Sequence, residues 1–321
     1  MIRLLPALIA AVALAGPAAA QTDWPTRPIR LIAPFPPAST VDVVSRILGQ
    51  KLSQRLGQQI VVDNRVGASG NIGADAIAKA APDGYTIGVV TNSTHAVAVT
   101  LSPNLPYDPL KDFTPITMIA NTSYVLVVYP GLAAKSVPEL VALAKSKPNA
   151  LNYGSAGPAS LAHLAGALFA TLSDIQMTHV PYKSSAQSVV DILSGRLDMQ
   201  FATIAPTLPN IRAGQLRALA TTGPVRAETL PDIPTMDEAG VKGYEATLWF
   251  ALMAPPGLPP AIAARLGKET SEALHSAEMK AALAQQGFVA DPGTPDALMA
   301  KIRSDIAKWR EVIGKAGIKP E

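Results

Sequence analysis

The run TPITMIANTSYVLVVYP, residues 114–130, limits what this chain can fold into more than any other stretch. It is mostly apolar and strand-like throughout, yet an ordinary strand needs only about 5–6 residues. On either side of it, short apolar segments alternate with amphipathic helices, the pattern of α/β layering with largely parallel sheets. One long extended run between two such patterns reads as a crossover from a first lobe into a second. A second strand-like run, TLWFALMAPPG at 247–257, follows a turn-rich stretch and reads as the way back. The expectation is therefore two α/β lobes joined by two crossover strands, with residues 21–121 and 243–321 in one and 122–242 in the other. Two strands so placed make a hinge, and the cleft between the lobes is where a ligand sits.

Within the first lobe IRLIAPF, QQIVVDN and YTIGVVT are expected strands, and TVDVVSRILGQKLSQRL and NIGADAIAKAA the helices between them. Val41, Val44, Leu48, Leu52 and Leu56 recur at helical spacing and predict the buried face of the first helix. The second lobe repeats the pattern. LNYGSAG, MTHVPYK, MQFATIA and LRALATTG are its strands, and SLAHLAGALFATL and AQSVVDILSGRL its helices. Helices starting near Pro259, Ala277 and Pro295 close the chain, the last with a stripe of Leu298, Ile302, Ile306, Trp309 and Ile313.

Residues 1–20 stand apart. Arg3, the apolar LLPALIAAVALA and the small residues Ala18, Ala19 and Ala20 have the form of a secretory signal peptide cleaved after Ala20. Its apolar core is too short to span a bilayer, which takes about 20 residues. Without it, 26 basic side chains face 24 acidic ones, a nearly neutral balance with no Lys/Arg cluster to track phosphates, which argues against a nucleic-acid partner. There is no cysteine, so an exported chain of about 300 residues must rely on an ordinary hydrophobic core.

The chemistry is expected where strands hand over to helices. In PFPPAST, Ser39 or Thr40 is placed to cap the first helix, with Asp42 in its first turn. In NYGSAGPASLAH, Ser160 stands at a second helix start after a glycine-flexible loop. Ser and Thr cap ordinary helices, and either loop alone reads as plain capping. Two such ends, one in each lobe, present free backbone N–H groups and partial positive charge, and together they suit one or two carboxylates without any Arg or Lys.

At this point the residues carry a family likeness. RPIRLIAPFPPASTVD, VVDNRVGASGNIGADAIAKAAPDGYTI, YGSAGPASLAHLAG, THVPYKSSAQSVVDILSGRLDMQF and LPDIPTMDEAG resemble the Bug family, the extracytoplasmic solute receptors of tripartite tricarboxylate transporters. The likeness runs through the mature chain in order. It implies a two-lobed periplasmic binding protein of the type II, Venus-flytrap kind, monomeric and delivering a small carboxylate to a membrane permease. It also implies that the ligand lies between the first strand–helix loop and its second-lobe counterpart. The expected contacts are Phe35, Pro37, Ala38, Ser39, Thr40, Ser93, Gly154, Ser155, Ser160, His163 and Thr203. The chain departs from the family pattern at Ala38-Ser39, where Gly-Gly is usual, at Ser184 after Lys183, and at Ala159 before Ser160, where glycine is usual or common. The ligand therefore stays open among aliphatic di- or tricarboxylates, acidic amino acids and aromatic acids.

Other readings find less support. GASGNIG at 67–73 lacks a Walker lysine and reads as a tight turn behind the first loop. No G-x-S-x-G elbow occurs, the four histidines (His95, His163, His179, His275) lack close metal-ligand spacing, and Ser93 with His95 is a weak hydrolase seed. No enzyme activity, cofactor or metal is expected. A ligand sensor docking on a membrane signalling partner needs the same closing cleft and stays as the alternative.

Overall fold

The computed structural model describes residues 24–319. The expected signal peptide and its expected cleavage point lie outside them. The described residues form ten strands in one curled sheet, flanked by ten α-helices. The long apolar run is a single strand, β4 (Thr114–Val128). Its first ten residues pair antiparallel with β9 (Thr247–Ala254), and from Tyr124 onward its partners are β7 (Met199–Thr203) and β8 (Arg217–Thr221).

On one side of that change, β1 (Ile29–Ala33), β2 (Ile60–Asn64) and β3 (Thr86–Thr91) run parallel, with β9 between β3 and β4. The two-residue β10 (Val289–Ala290) also pairs with β4 on this side. On the other side, β5 (Asn152–Ser155) lies parallel to β6 (Thr178–Pro181) and β7. Each half is thus parallel at its flank and antiparallel at its centre. The central strands carry the chain between halves without a helical return, so they run against their neighbours.

Thr222 fastens the junction. Tyr124 N–H donates to its Oγ1 (2.7 Å), that hydroxyl donates to Ala246 O (2.7 Å), and Ala246 N–H donates to Thr222 O (3.0 Å). Strands β4, β8 and the approach to β9 meet in these bonds.

The helices follow their caps and stripes. α1 (Thr40–Leu56) starts at the Ser39 cap, stops at left-handed Gly57, and buries all five residues of the expected face. α2 (Asn71–Ala78), α3 (Ala98–Leu101), α4 (Val137–Ser146), α5 (Leu161–Ser173), α6 (Ser185–Leu193) and α7 (Ile204–Arg212) follow in turn. α8 (Pro260–His275), α9 (Ala277–Gln285) and α10 (Pro295–Lys315) close the chain. The expected stripe of α10 is buried in full, in a core that also holds Ile77 and Val90 from one half and Leu164 and Phe169 from the other. Trp249 Nε1–H donates to the buried Asp305 on α10 at 2.7 Å. Among the described residues no helix is long and apolar enough to cross a membrane.

Candidate functional site

The loop from β1 into α1 is held from beneath. Ser39 is extended (φ −70°, ψ 163°), and its Oγ accepts from Asp42 N–H at 3.3 Å. Asp42 reaches back: its Oδ2 accepts from Ala38 N–H and from Arg46 Nε–H, both at 2.9 Å. Asn64 Nδ2–H donates to Asp42 Oδ1 and to Phe35 O, again at 2.9 Å. Burial works to raise the Asp42 pKa, but these hydrogen bonds and the Arg46 charge outweigh it and hold the carboxyl below its ordinary value. Ala38 is forced into the left-handed region at φ 63°.

The loop from β5 into α5 repeats the device with different chemistry. Ser160 is extended (φ −61°, ψ 153°). Its Oγ accepts from His163 N–H at 3.3 Å and donates to Gly157 O at 2.7 Å. His163 plays the part of Asp42, its Nδ1 accepting from Ala159 N–H at 3.1 Å. Ala159 is left-handed too, at φ 57°. A left-handed L-residue costs about 1–2 kcal/mol relative to the ordinary helical region. The two alanines at glycine-favouring positions of the family pattern therefore carry matching strain.

The N–H accounting then closes. Ala38, Ser39, Asp42 and Val43 are engaged within the first loop, and Ala159, Ser160, His163 and Leu164 within the second. The N–H groups of Thr40 and Val41, and of Leu161 and Ala162, have no acceptor among the described residues. These are the first two donors of each helix, where no intrahelical acceptor exists.

A cavity of about 280 Å³ opens between the two halves. Phe35, Ser93 and Ser160 line it, with Ser69, Asn71, Val97, Ala98, Leu101 and Ser102 from the first half and Ala156, Pro158 and Ala159 from the second. Phe35 sits there because Gly70 (φ 95°) leaves room: a Cβ at Gly70 would come within 2.9 Å of the Phe35 ring. GASGNIG is thus a packed turn behind the first loop. Ser93 opens a wide π-helical turn, Ser93–Val97, directly after β3, of a kind frequent at functional sites.

The other eight expected contacts do not line this cavity. Pro37, Ala38, Ser39 and Thr40 lie at the start of α1. Gly154 packs on Leu197 and Ser188, where a Cβ would come within 2.6 Å and 2.8 Å. Ser155 Oγ is taken by His179 Nε2 (2.7 Å) and by Gly157 (N–H 3.0 Å, O 2.9 Å). Thr203 precedes α7, its carbonyl accepting from Thr207 Oγ1 at 2.7 Å. His163 turns its ring toward Tyr153 and His179, away from the cavity, because its Nδ1 is tied to Ala159. Ser102 is a wall residue that no local motif announces, and Asn71, joined to it by a 3.1 Å hydrogen bond, belongs with Ser69 to GASGNIG, which the sequence reads only as a supporting turn. The Ser93–His95 pair does not assemble: His95 is wholly buried, its Nδ1 is bonded to Thr94 Oγ1 at 3.1 Å, and its ring packs edge-on against Phe113. Tyr182 donates to Asp191 at 2.8 Å, a structural tie at the end of β6.

The tripartite tricarboxylate transporter family receptor profile matches residues 44–318. The chain belongs to this receptor family. BugT of Bordetella pertussis is 39% identical to it over 99% of both chains. The R. palustris protein Rpa4515, in a structure with adipate, shares 37% identity and superposes with a TM-score of 0.79 over 93% of this receptor and 100% of that chain. MatC from Rhodopseudomonas palustris, with bound malate, shares 30% identity at a TM-score of 0.74, covering 90% of this receptor and all of MatC. This is a periplasmic solute-binding receptor of the TctC/Bug type, with that fold, and not an enzyme.

Proposed function

We propose that this receptor captures a small organic carboxylate between the α1 and α5 N-termini and delivers it to the permease of a tripartite transporter. The observation that carries the reading is the pair of matched loops, each ending in two backbone N–H groups without an acceptor among the described residues. The two loops reach a cavity lined by both halves that contains no Lys or Arg, the first through Phe35 and the second through Ala156, Pro158, Ala159 and Ser160. Helix N-termini suit anions through oriented donors and the helix dipole. Adipate and malate in two similar receptors support an aliphatic dicarboxylate as ligand class. Phe35, Val97 and Leu101 would face its methylenes, and Ser69, Ser93 and Ser160 its polar ends.

The working form is a monomer exported with cleavage after Ala20. Its lobes, residues 21–121 with 243–321 and residues 122–242, hinge near the point where β4 changes partners and Thr222 ties the strands. A ligand touching both lobes favours the closed form, and the permease reads closure. The reading predicts that a thermal-shift screen over carboxylates finds at least one aliphatic dicarboxylate that stabilises the protein. At a hundredfold over its Kd, such a ligand adds about 2.7 kcal/mol. A screen in which no carboxylate shifts the melting temperature, or in which a neutral sugar does so best, removes the proposal.

A further inference from the structure

Behind the ligand loop lies a larger cavity, about 600 Å³, between β5, β6, the outer face of α5 and the end of α10. It shares no lining residue with the 280 Å³ cavity. His163 and His179 stack against its wall, ring centroids 3.8 Å apart and planes within 6° of parallel, with Tyr153 5.1 Å from His179. Tyr153 and His163 are more than nine-tenths buried. Gly166 makes room for the tyrosine, since a Cβ there would come within 2.2 Å of its ring.

Three polar atoms in this wall have no hydrogen-bond partner among the described residues: Tyr153 Oη, His163 Nε2 and His179 Nδ1. None of the three atoms is shut away from the cavity, so each is open to an arriving group. The tautomer of His163 is fixed, because Nδ1 accepts from Ala159 N–H and the ring proton must then be on Nε2. His163 Nε2–H and Tyr153 O–H are both available as donors. Lys315, from the end of α10, brings an ammonium to the cavity while paired with Glu311 at 2.8 Å; Asp174, exposed, is the acidic group on the α5 side.

We propose that this cavity is a second ligand site, for a small oxyanion, held by Tyr153 Oη, His163 Nε2 and His179 Nδ1. His163 cannot take a further proton without losing Ala159, so His179 takes it and its Nδ1–H becomes the third donor. Burial keeps both imidazoles neutral when the cavity holds no anion. An arriving anion supplies the countercharge, so binding takes up one proton and tightens as pH falls.

The test is an NMR titration of the full chain, following the imidazole ring protons of all four histidines with inorganic phosphate, acetate and chloride at matched ionic strength. The site is expected to give a saturable shift of His163 and His179, with His95 and His275 unmoved, and to raise the apparent His179 pKa by about one unit or more. Phosphate and acetate are the two arms that tell which oxyanion is preferred. Tyr153→Phe should weaken the effect about tenfold with the fold intact by near-UV circular dichroism, and His179→Gln should abolish proton uptake measured by calorimetry in two buffers. Shifts no larger than those with chloride, or unchanged affinity in Tyr153→Phe, overturn the proposal. A phosphate shift lost in Thr40→Pro but kept in Tyr153→Phe would put the anion in the interlobe cavity and overturn it too.

Discussion

Replacing Thr40 by proline isolates one backbone donor. Thr40 is the first residue of α1, where the fixed φ of proline suits the helix and the missing N–H breaks no intrahelical bond. The residue before a proline must be extended, and Ser39 already is, at φ −70° and ψ 163°. Thr40 N–H has no acceptor among the described residues, so the unliganded protein loses no hydrogen bond. A strained loop, the natural expectation for proline in a binding loop, is not what this geometry predicts. Stability should stay within about 1 kcal/mol of the parent, since a compatible proline stabilises by about 0.4–1 kcal/mol through the unfolded chain. Binding should behave differently. A hydrogen bond to a charged group is worth about 1.5–3 kcal/mol, so affinity for the carboxylate found by screening should fall about 10- to 150-fold. Thr40→Val, which keeps the N–H and discards the hydroxyl, is the control and should bind nearly as the parent does. Urea unfolding reads stability and calorimetry reads affinity. If Thr40→Pro folds normally and binds as tightly as the parent, the α1 N-terminus does not hold the ligand.

Two further perturbations probe the loops and the buried histidines. Ala38→Gly and Ala159→Gly relieve left-handed alanines; the relief, about 1–2 kcal/mol, exceeds the roughly 0.5–1 kcal/mol entropic cost of glycine. Each variant should thus gain about 0.5 kcal/mol in urea unfolding, and a loss of more than about 1 kcal/mol would show that the methyl group packs usefully. Acid should destabilise the protein: burial, with His179 alongside, pushes the His163 pKa down to about 4, and burial pushes His95 to about 3. The unfolded chain binds these protons first, so stability is full above about pH 6.5 and declines as pH falls toward the folded values. Each ring contributes a slope of up to about 1.4 kcal/mol per pH unit. His163→Gln should remove one proton from that slope between pH 6.5 and 4, and an unchanged slope would contradict the assignment.

What could be read from the sequence was what local chemistry decides. The bounds of α1 follow from the Ser39 cap, an unbroken stripe and Gly57, and the whole of β4 follows from its composition. α7 was not legible: MQFATIA reads as strand to Ala205, but the strand ends at Thr203 and a helix containing Pro209 begins, burying only Ile204 and Thr207. α4 escaped similarly, with only Val137, Leu140 and Ala144 buried. Both caps were visible because capping spans four residues. The reach of Asp42 back to Ala38, and of His163 back to Ala159, was not, since which way a first-turn side chain turns depends on what packs behind it. The far wall at Asn71, Val97 and Ser102 is assembled by tertiary packing alone.

The place of β9 in the sheet has a consequence for the order in which the chain can fold. It lies between β3 and β4, so that Gly88 waits for Met253 and Thr114 for Ala254, and the core is completed only by α10 at the end of the chain. A nascent chain emerging from the ribosome has its first three strands early but no centre for that sheet until the last quarter is made. Contacts this distant in sequence form slowly. The delay leaves that half of the sheet without its centre while the polypeptide is still being synthesised, which suits the export proposed above for this receptor.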